Sequence, residues 1–133
     1  MLKKNITYTD FEGVERKEDH YFHFSDSEIM EMENSVAGGL ANKLTRIIEA
    51  QDAPEIMKNF KEIILKAYGI KSADGKRFEK SEEISTAFSQ TGAYDKLFME
   101  LVTDAKAAAD FINAIIPHKT KAENPAIPAP AVN

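Results

Sequence analysis

Residues 79–117 read EKSEEISTAFSQTGAYDKLFMELVTDAKAAADFINAIIP, and the patterning of this stretch decides the fold class. Ser81 is placed to cap a helix whose buried side carries Ile84, Ala87 and Phe88, and the polar run Ser89-Gln90-Thr91-Gly92 closes it. Thr91 can cap a second helix. There Tyr94, Leu97, Phe98, Leu101 and Val102 recur at the three- and four-residue spacings that put side chains on one face. Thr103-Asp104 interrupts the stripe, and Ala105, Ala108, Phe111, Ile112, Ile115 and Ile116 restart it, so a kink or a third short helix is expected before Pro117 stops the run. Several large apolar side chains buried at about 1.5–3 kcal/mol each make this segment the heart of one core. Nothing in the spacings names a reaction.

Upstream, Ser72-Ala73-Asp74-Gly75-Lys76-Arg77-Phe78 reads as a turn-rich connection, with Phe78 anchoring it on the core. Before it, Asp52-Ala53-Pro54-Glu55 marks a helix start, Ile56, Phe60, Ile63, Ile64 and Ala67 form its apolar face, and Gly69 reads as its stop. Ser25 and Glu28 fit a capping box that opens a helix with Ile29, Met32 and Val36 on its apolar side. Gly38-Gly39 then breaks helix propensity, as a hinge, a tight crossing or a helix end, and Leu40, Leu44, Ile47 and Ile48 continue a stripe to about Ala50. Residues 5–24 read as a β-hairpin turning at Asp10-Phe11-Glu12-Gly13, where Gly13 suits a positive φ. His20 and His23, three apart in a strand, point to opposite faces and make a poor metal pair. Residues 118–133, with Pro125, Pro128 and Pro130 among alanines, read as a flexible Ala/Pro-rich tail.

The fold class is therefore α+β, mostly α: an N-terminal β-hairpin and about five helices in one domain, a size that 133 residues support. No apolar run reaches the roughly 18–20 residues of a membrane span, and no signal-peptide core is visible, so a cytoplasmic protein is expected. The absence of cysteine removes disulfides, thiol catalysis and thiolate metal sites together. The net charge of -5 is concentrated at the front: residues 1–33 hold nine acidic side chains against four basic ones, and the remainder is balanced. Such a front disfavours nucleic acid and is mainly a solvated face, though it suits a basic partner.

Motifs for chemistry are missing. The chain contains no Gly-x-Ser-x-Gly elbow and no His-Glu-x-x-His, Gly38-Gly39 lacks the rest of a phosphate loop, and Asp74 lacks a calcium-binding ladder. An enzyme is not expected, nor a cofactor or a metal. Met30, Met32, Met57 and Met99 read first as core filler or partly exposed helix positions, and second as an adaptable groove.

The order Ile-Thr-Tyr-Thr-Asp-Phe-Glu-Gly-Val-Glu-Arg at 6–16, Met-Glu-Met-Glu at 30–33, Gly-Gly-Leu-Ala at 38–41, Ile-Leu-Lys-Ala-Tyr-Gly at 64–69, Ser-Ala-Asp-Gly-Lys-Arg-Phe at 72–78 and Ala-Phe-Ser-Gln-Thr-Gly-Ala-Tyr-Asp-Lys-Leu-Phe-Met-Glu-Leu at 87–101 resembles the tail assembly chaperones of long-tailed (siphovirus-type) phages and prophages of Gram-positive bacteria. The likeness covers residues 1–117, and the tail lies outside it. It implies a non-enzymatic protein of the host cytoplasm that coats the tape-measure protein, keeps it soluble, and gives way as tube subunits polymerise. It also implies self-association, absence from the mature virion, and a longer frameshifted form that recruits the tail-tube protein. The rival expectation is a structural tail component retained in the virion. A helix-in-groove mode needs an exposed apolar strip, and the candidates are Tyr94, Leu97, Phe98 and Leu101 on one helix and Ile112, Ile115 and Ile116 at the end of the next, each otherwise a core residue.

Overall fold

The computed structural model describes residues 1–35 and 39–116. The expected tail at 118–133, Val36 and Gly38 lie outside the described residues. Strands β1 (Leu2–Thr9) and β2 (Glu15–Phe22) form the N-terminal hairpin, with Leu2 opposite Phe22 and Thr9 opposite Glu15. Gly13 takes φ 81°, and the turn is fixed by one carboxylate. Asp10 Oδ1 accepts from the amides of Glu12 and Val14, each at 2.9 Å, and Oδ2 accepts from Arg16 Nε at 2.8 Å. These bonds hold the Asp10 carboxyl below its ordinary range, the Val14 amide contributing most.

Helix α1 (Asp26–Ser35) starts at the expected capping box: Glu28 N donates to Ser25 Oγ at 3.2 Å and Ser25 N to Glu28 Oε1 at 2.8 Å. Helix α2 (Leu40–Ala50) follows Gly39, whose φ of 90° suits glycine. Helix α3 (Ala53–Ala67) is capped by Asp52, α4 (Glu82–Ser89) by Ser81 and α5 (Gly92–Thr103) by Thr91. Asp104 accepts from the amides of Lys106 and Ala107 and so opens α6 (Ala105–Ile115). The interruption at Thr103-Asp104 is thus a true helix boundary, and six helices stand among the described residues, in keeping with the α+β, mostly α reading.

The sheet extends beyond the expected hairpin. Residues read as a helix stop and a turn-rich loop form a second hairpin, β3 (Tyr68–Lys71) and β4 (Phe78–Glu79), in a four-stranded antiparallel sheet of order β1-β2-β3-β4. Its loop is tied by Ser72: Ser72 N donates to Arg77 O, Arg77 N donates to Ser72 Oγ, and Ser72 Oγ donates to Asp74 Oδ1. Gly69, expected to end α3, instead pairs with Tyr21, and α3 ends two residues earlier at Ala67. The strand pairs where Tyr21 and Phe22 at the end of β2 offer a free edge, a contact that exists only once the first hairpin is in place.

Along β1 and β2 every second residue, including Ile6 and Phe22, turns toward the helices, while Lys3, Asn5, Thr7 and Lys17 face outward. The core joins Phe22, Phe24, Phe60, Ile64, Leu97, Leu101 and Ile115. Tyr68 stacks on Phe88 at 3.9 Å between ring centroids. Lys80 straps α1 to the second hairpin: its Nζ donates to His23 O at 2.7 Å and Glu28 Oε2 at 2.8 Å and lies 4.8 Å from the Phe24 ring centroid. Burial opposes the charge of Glu28, but the Lys80 ammonium and the Ser25 amide outweigh it and hold its carboxyl below the ordinary range.

Candidate docking surface

The apolar residues singled out from the sequence separate into three groups. Leu97 and Ile115 are fully buried and belong to the core. Leu101 and Ile112 are also buried, but each contributes to the wall of a surface cavity. Tyr94, Phe98 and Ile116 are half-buried. Tyr94 and Phe98, one helical turn apart on α5, stack with ring centroids 5.8 Å apart, and the next side chain, Met99, is 50% exposed. Burial, with the Asp95 carboxylate adding to it, raises the Tyr94 hydroxyl above its ordinary range.

One further turn along α5, Val102 borders a cavity of about 280 Å³ between the end of α5 and the starts of α3 and α6. Ile48, Ile56, Met57, Ala105 and Ala108 complete most of its wall, and no charged side chain lines it. A second cavity of about 230 Å³ lies on the other side of Ile48, against Leu44, Ala109 and Ile112. The α2 stripe was legible in the sequence, but the cavities were not, because they depend on how far α2 stands from α6. Met57, 48% exposed, is the signal available beforehand: an unbranched, polarisable side chain that adapts to different neighbours.

The hairpin tip is the other exposed apolar feature. Phe11 is 89% exposed on the turn that Asp10 holds, with Val14 beside it. In the sequence Phe11 is only a turn residue, since a turn position by itself does not reveal whether its ring is covered.

The two histidines of β2 and its exit serve the fold. His20 lies among the rings of Tyr8, Tyr68 and Phe88, and His23 meets Phe78 edge-on. Their Nδ1 atoms are buried without hydrogen-bond partners. Burial is the main cause that lowers both imidazoles below their ordinary range; Glu18 opposes it at His20, and the N-terminal ammonium and Lys80 reinforce it at His23. The unfolded chain therefore binds these protons more readily than the folded one. The associated stability is complete above the unfolded value of about 6.5 and is lost as pH falls from there through the lower folded values. Thermal denaturation should show a lower Tm at about pH 5.5 than at about pH 7.5, and replacing both histidines by glutamine should flatten that difference.

Among the described residues, no group of three or more His, Cys, Asp or Glu side chains is placed to hold a metal ion, and no helix is long and apolar enough to cross a membrane. A family model described as phage tail assembly chaperone matches residues 1–128, past the Pro117 limit of the sequence resemblance. No curated protein and no solved structure matches the chain.

Proposed function

Because the chain belongs to the phage tail assembly chaperone family, with a match over residues 1–128, we propose that it is a chaperone of the tape-measure protein of a long-tailed phage or prophage of a Gram-positive host. The observation that carries this reading is the strip on α5. Tyr94 and Phe98, half-covered at the margin of the same face that Leu97 and Leu101 lock into the core, present aromatic surface, and the exposed Met99 lies on the flank beside them. An amphipathic helix with apolar residues three and four apart can lie along such a strip and remove both apolar faces from water. Ile116 adds a half-buried position beyond α6, while Leu101 and Ile112 act from cavity walls. Leu97 and Ile115 support the surface from beneath.

The activity is binding without catalysis. The protein works in the host cytoplasm, several copies coat one partner, and they leave as the tube grows, so that the mature virion lacks them. The 1–117 region is the chaperone domain, and a longer frameshifted form brings the tail-tube protein to it.

The test is co-expression with the tape-measure protein of the same gene cluster, followed by size-exclusion chromatography with light scattering. A tape-measure protein that is insoluble alone should elute with several copies of this chain. The double change Phe98→Asp and Met99→Asp should cost about 2 kcal/mol or more of binding, roughly thirtyfold, with the cooperative unfolding transition retained. Tape-measure protein that stays insoluble while this chain elutes by itself counts against the proposal, and recovery of the chain in purified particles marks a structural tail component instead.

A further inference from the structure

Both cavities open along the seam of α2 and α6, one on each side of Ile48. Ala109, Ile112 and Asn113, in the second half of α6, border the cavity of about 230 Å³, and Ala105 and Ala108, at its start, border the one of about 280 Å³. The described residues end at Ile116, one helical turn past Ile112, so the chain departs from the same helix that walls the seam. From Ile116 the larger cavity lies only about 12–17 Å back along α6. Ile127, eleven residues further on, can stand up to about 36 Å away when the chain is extended, so it reaches that cavity with length to spare.

We propose that residues 117–133 turn back along this seam and that Ile127 fills the cavity beside Val102 of its own chain. The order of charges along the segment matches the order of the cavities. Lys119 and Lys121 come first, and the nearer cavity carries Glu49. Residues 124–133 hold no charged side chain, and neither does the wall of the farther cavity. Ile127 and Val132 are the large apolar residues after Pro117, and Ile127 is the one set between prolines, Pro125 and Pro128. Pro128 keeps Ile127 out of the helical region, so the anchor is presented on an extended segment that loses little freedom on docking. Such a segment leaves its carbonyls without partners of its own, and Gln51, in the cavity wall, carries an amide able to donate to them. Met57, beside it, adjusts to an incoming branched side chain.

One isoleucine is a weak anchor, but its short tether supplies an effective concentration on the order of 1 mM, so the cover forms in the free chain and still yields to a competitor. Val102 lies one turn beyond Phe98 on α5, which puts the covered cavity at the end of the aromatic strip. On the tape-measure reading, a helical partner that extends past Phe98 displaces the segment. The contact itself does not depend on that reading.

Methyl NMR of the full chain without any partner tests the contact. Cross-peaks should connect the Ile127 methyls with those of Val102 or Met57, and their relative intensity should not change on dilution, as a contact within one chain requires. Titration with the apolar dye 8-anilinonaphthalene-1-sulfonate, followed at the Val102 and Met57 methyls, supplies a second readout. A cavity covered two-thirds of the time binds the dye about threefold more weakly than an open one, so Ile127→Asp should tighten dye binding by about that factor with unchanged Tm. Val132→Asp should bind the dye as the wild type does. Absent cross-peaks, cross-peaks that fade on dilution, an Ile127→Asp chain that binds the dye like the wild type, or an equal gain from Val132→Asp would each overturn the proposal. Since no tape-measure protein is present, failure here leaves the proposed function standing.

Discussion

Phe22→Ala is expected to destabilise the protein by about 3–5 kcal/mol, most of the margin that a domain of this size possesses. Phe22 has no exposed surface, and its ring lies 5.7 Å from Tyr68, 5.9 Å from Phe88 and 5.4 Å from Phe111, centroid to centroid. It is therefore the point at which β2, β3, α4 and α6 meet. Truncation removes the apolar transfer term and also leaves a cavity that four different elements would have to close together. Tyr68 and Phe88 cannot follow easily, because their 3.9 Å stack fixes them against each other. Urea denaturation followed by circular dichroism should show an early midpoint or loss of the transition, and Phe22→Leu, which keeps most of the volume, should cost much less. A cost under about 1 kcal/mol for the alanine variant would mean that the sheet and the helices do not meet at this ring.

Gly69→Ala should destabilise by about 1–3 kcal/mol, against the usual sign for removing a glycine from a strand. A Cβ at this position would lie 2.5 Å from Phe78 Cε2, 2.8 Å from Cζ and 2.9 Å from the Glu79 carbonyl oxygen. The strand cannot shift to relieve the contact, since β3 is paired with β2 through Tyr21 and Phe22 on one side and with β4 on the other. The Phe78 ring is held too, with His23 edge-on at 6.0 Å and Lys80 Nζ 5.8 Å from its centroid. A double-mutant cycle separates the causes: in a Phe78→Ala background the ring clash disappears, and the cost of Gly69→Ala should shrink to what the Glu79 carbonyl imposes. Stabilisation by Gly69→Ala in the wild-type background would show that the second hairpin yields freely.

The helices were legible because their signals act over one turn of chain. Ser25 with Glu28, Asp52, Ser81, Thr91 and Asp104 each bond amides two or three residues away, and Gly13 supplies its turn by its own φ. Apolar spacing likewise identified the α5 and α6 faces before any packing was known. Family membership followed from the order of motifs, which is also a property of the chain alone.

Tertiary structure decided what those signals leave open. Tyr68–Lys71 is a four-residue strand containing a glycine, and it pairs because β2 offers an open edge across the sequence, not because its own residues demand extension. The stripe on α5 is one pattern, yet Leu97 and Leu101 are buried by neighbouring elements while Tyr94 and Phe98 are only half covered. Periodicity reports that a face is apolar; how much of that face is sealed depends on the distance and angle of helices remote in sequence. The cavity beside Val102 and the bare ring of Phe11 are of the same kind. The sequence by itself determined the first hairpin, the helices, their caps and the family, because those rest on local bonds and on residue order. Which apolar surface stays in water was set only when the elements packed, because exposure is a property of the neighbours a side chain acquires.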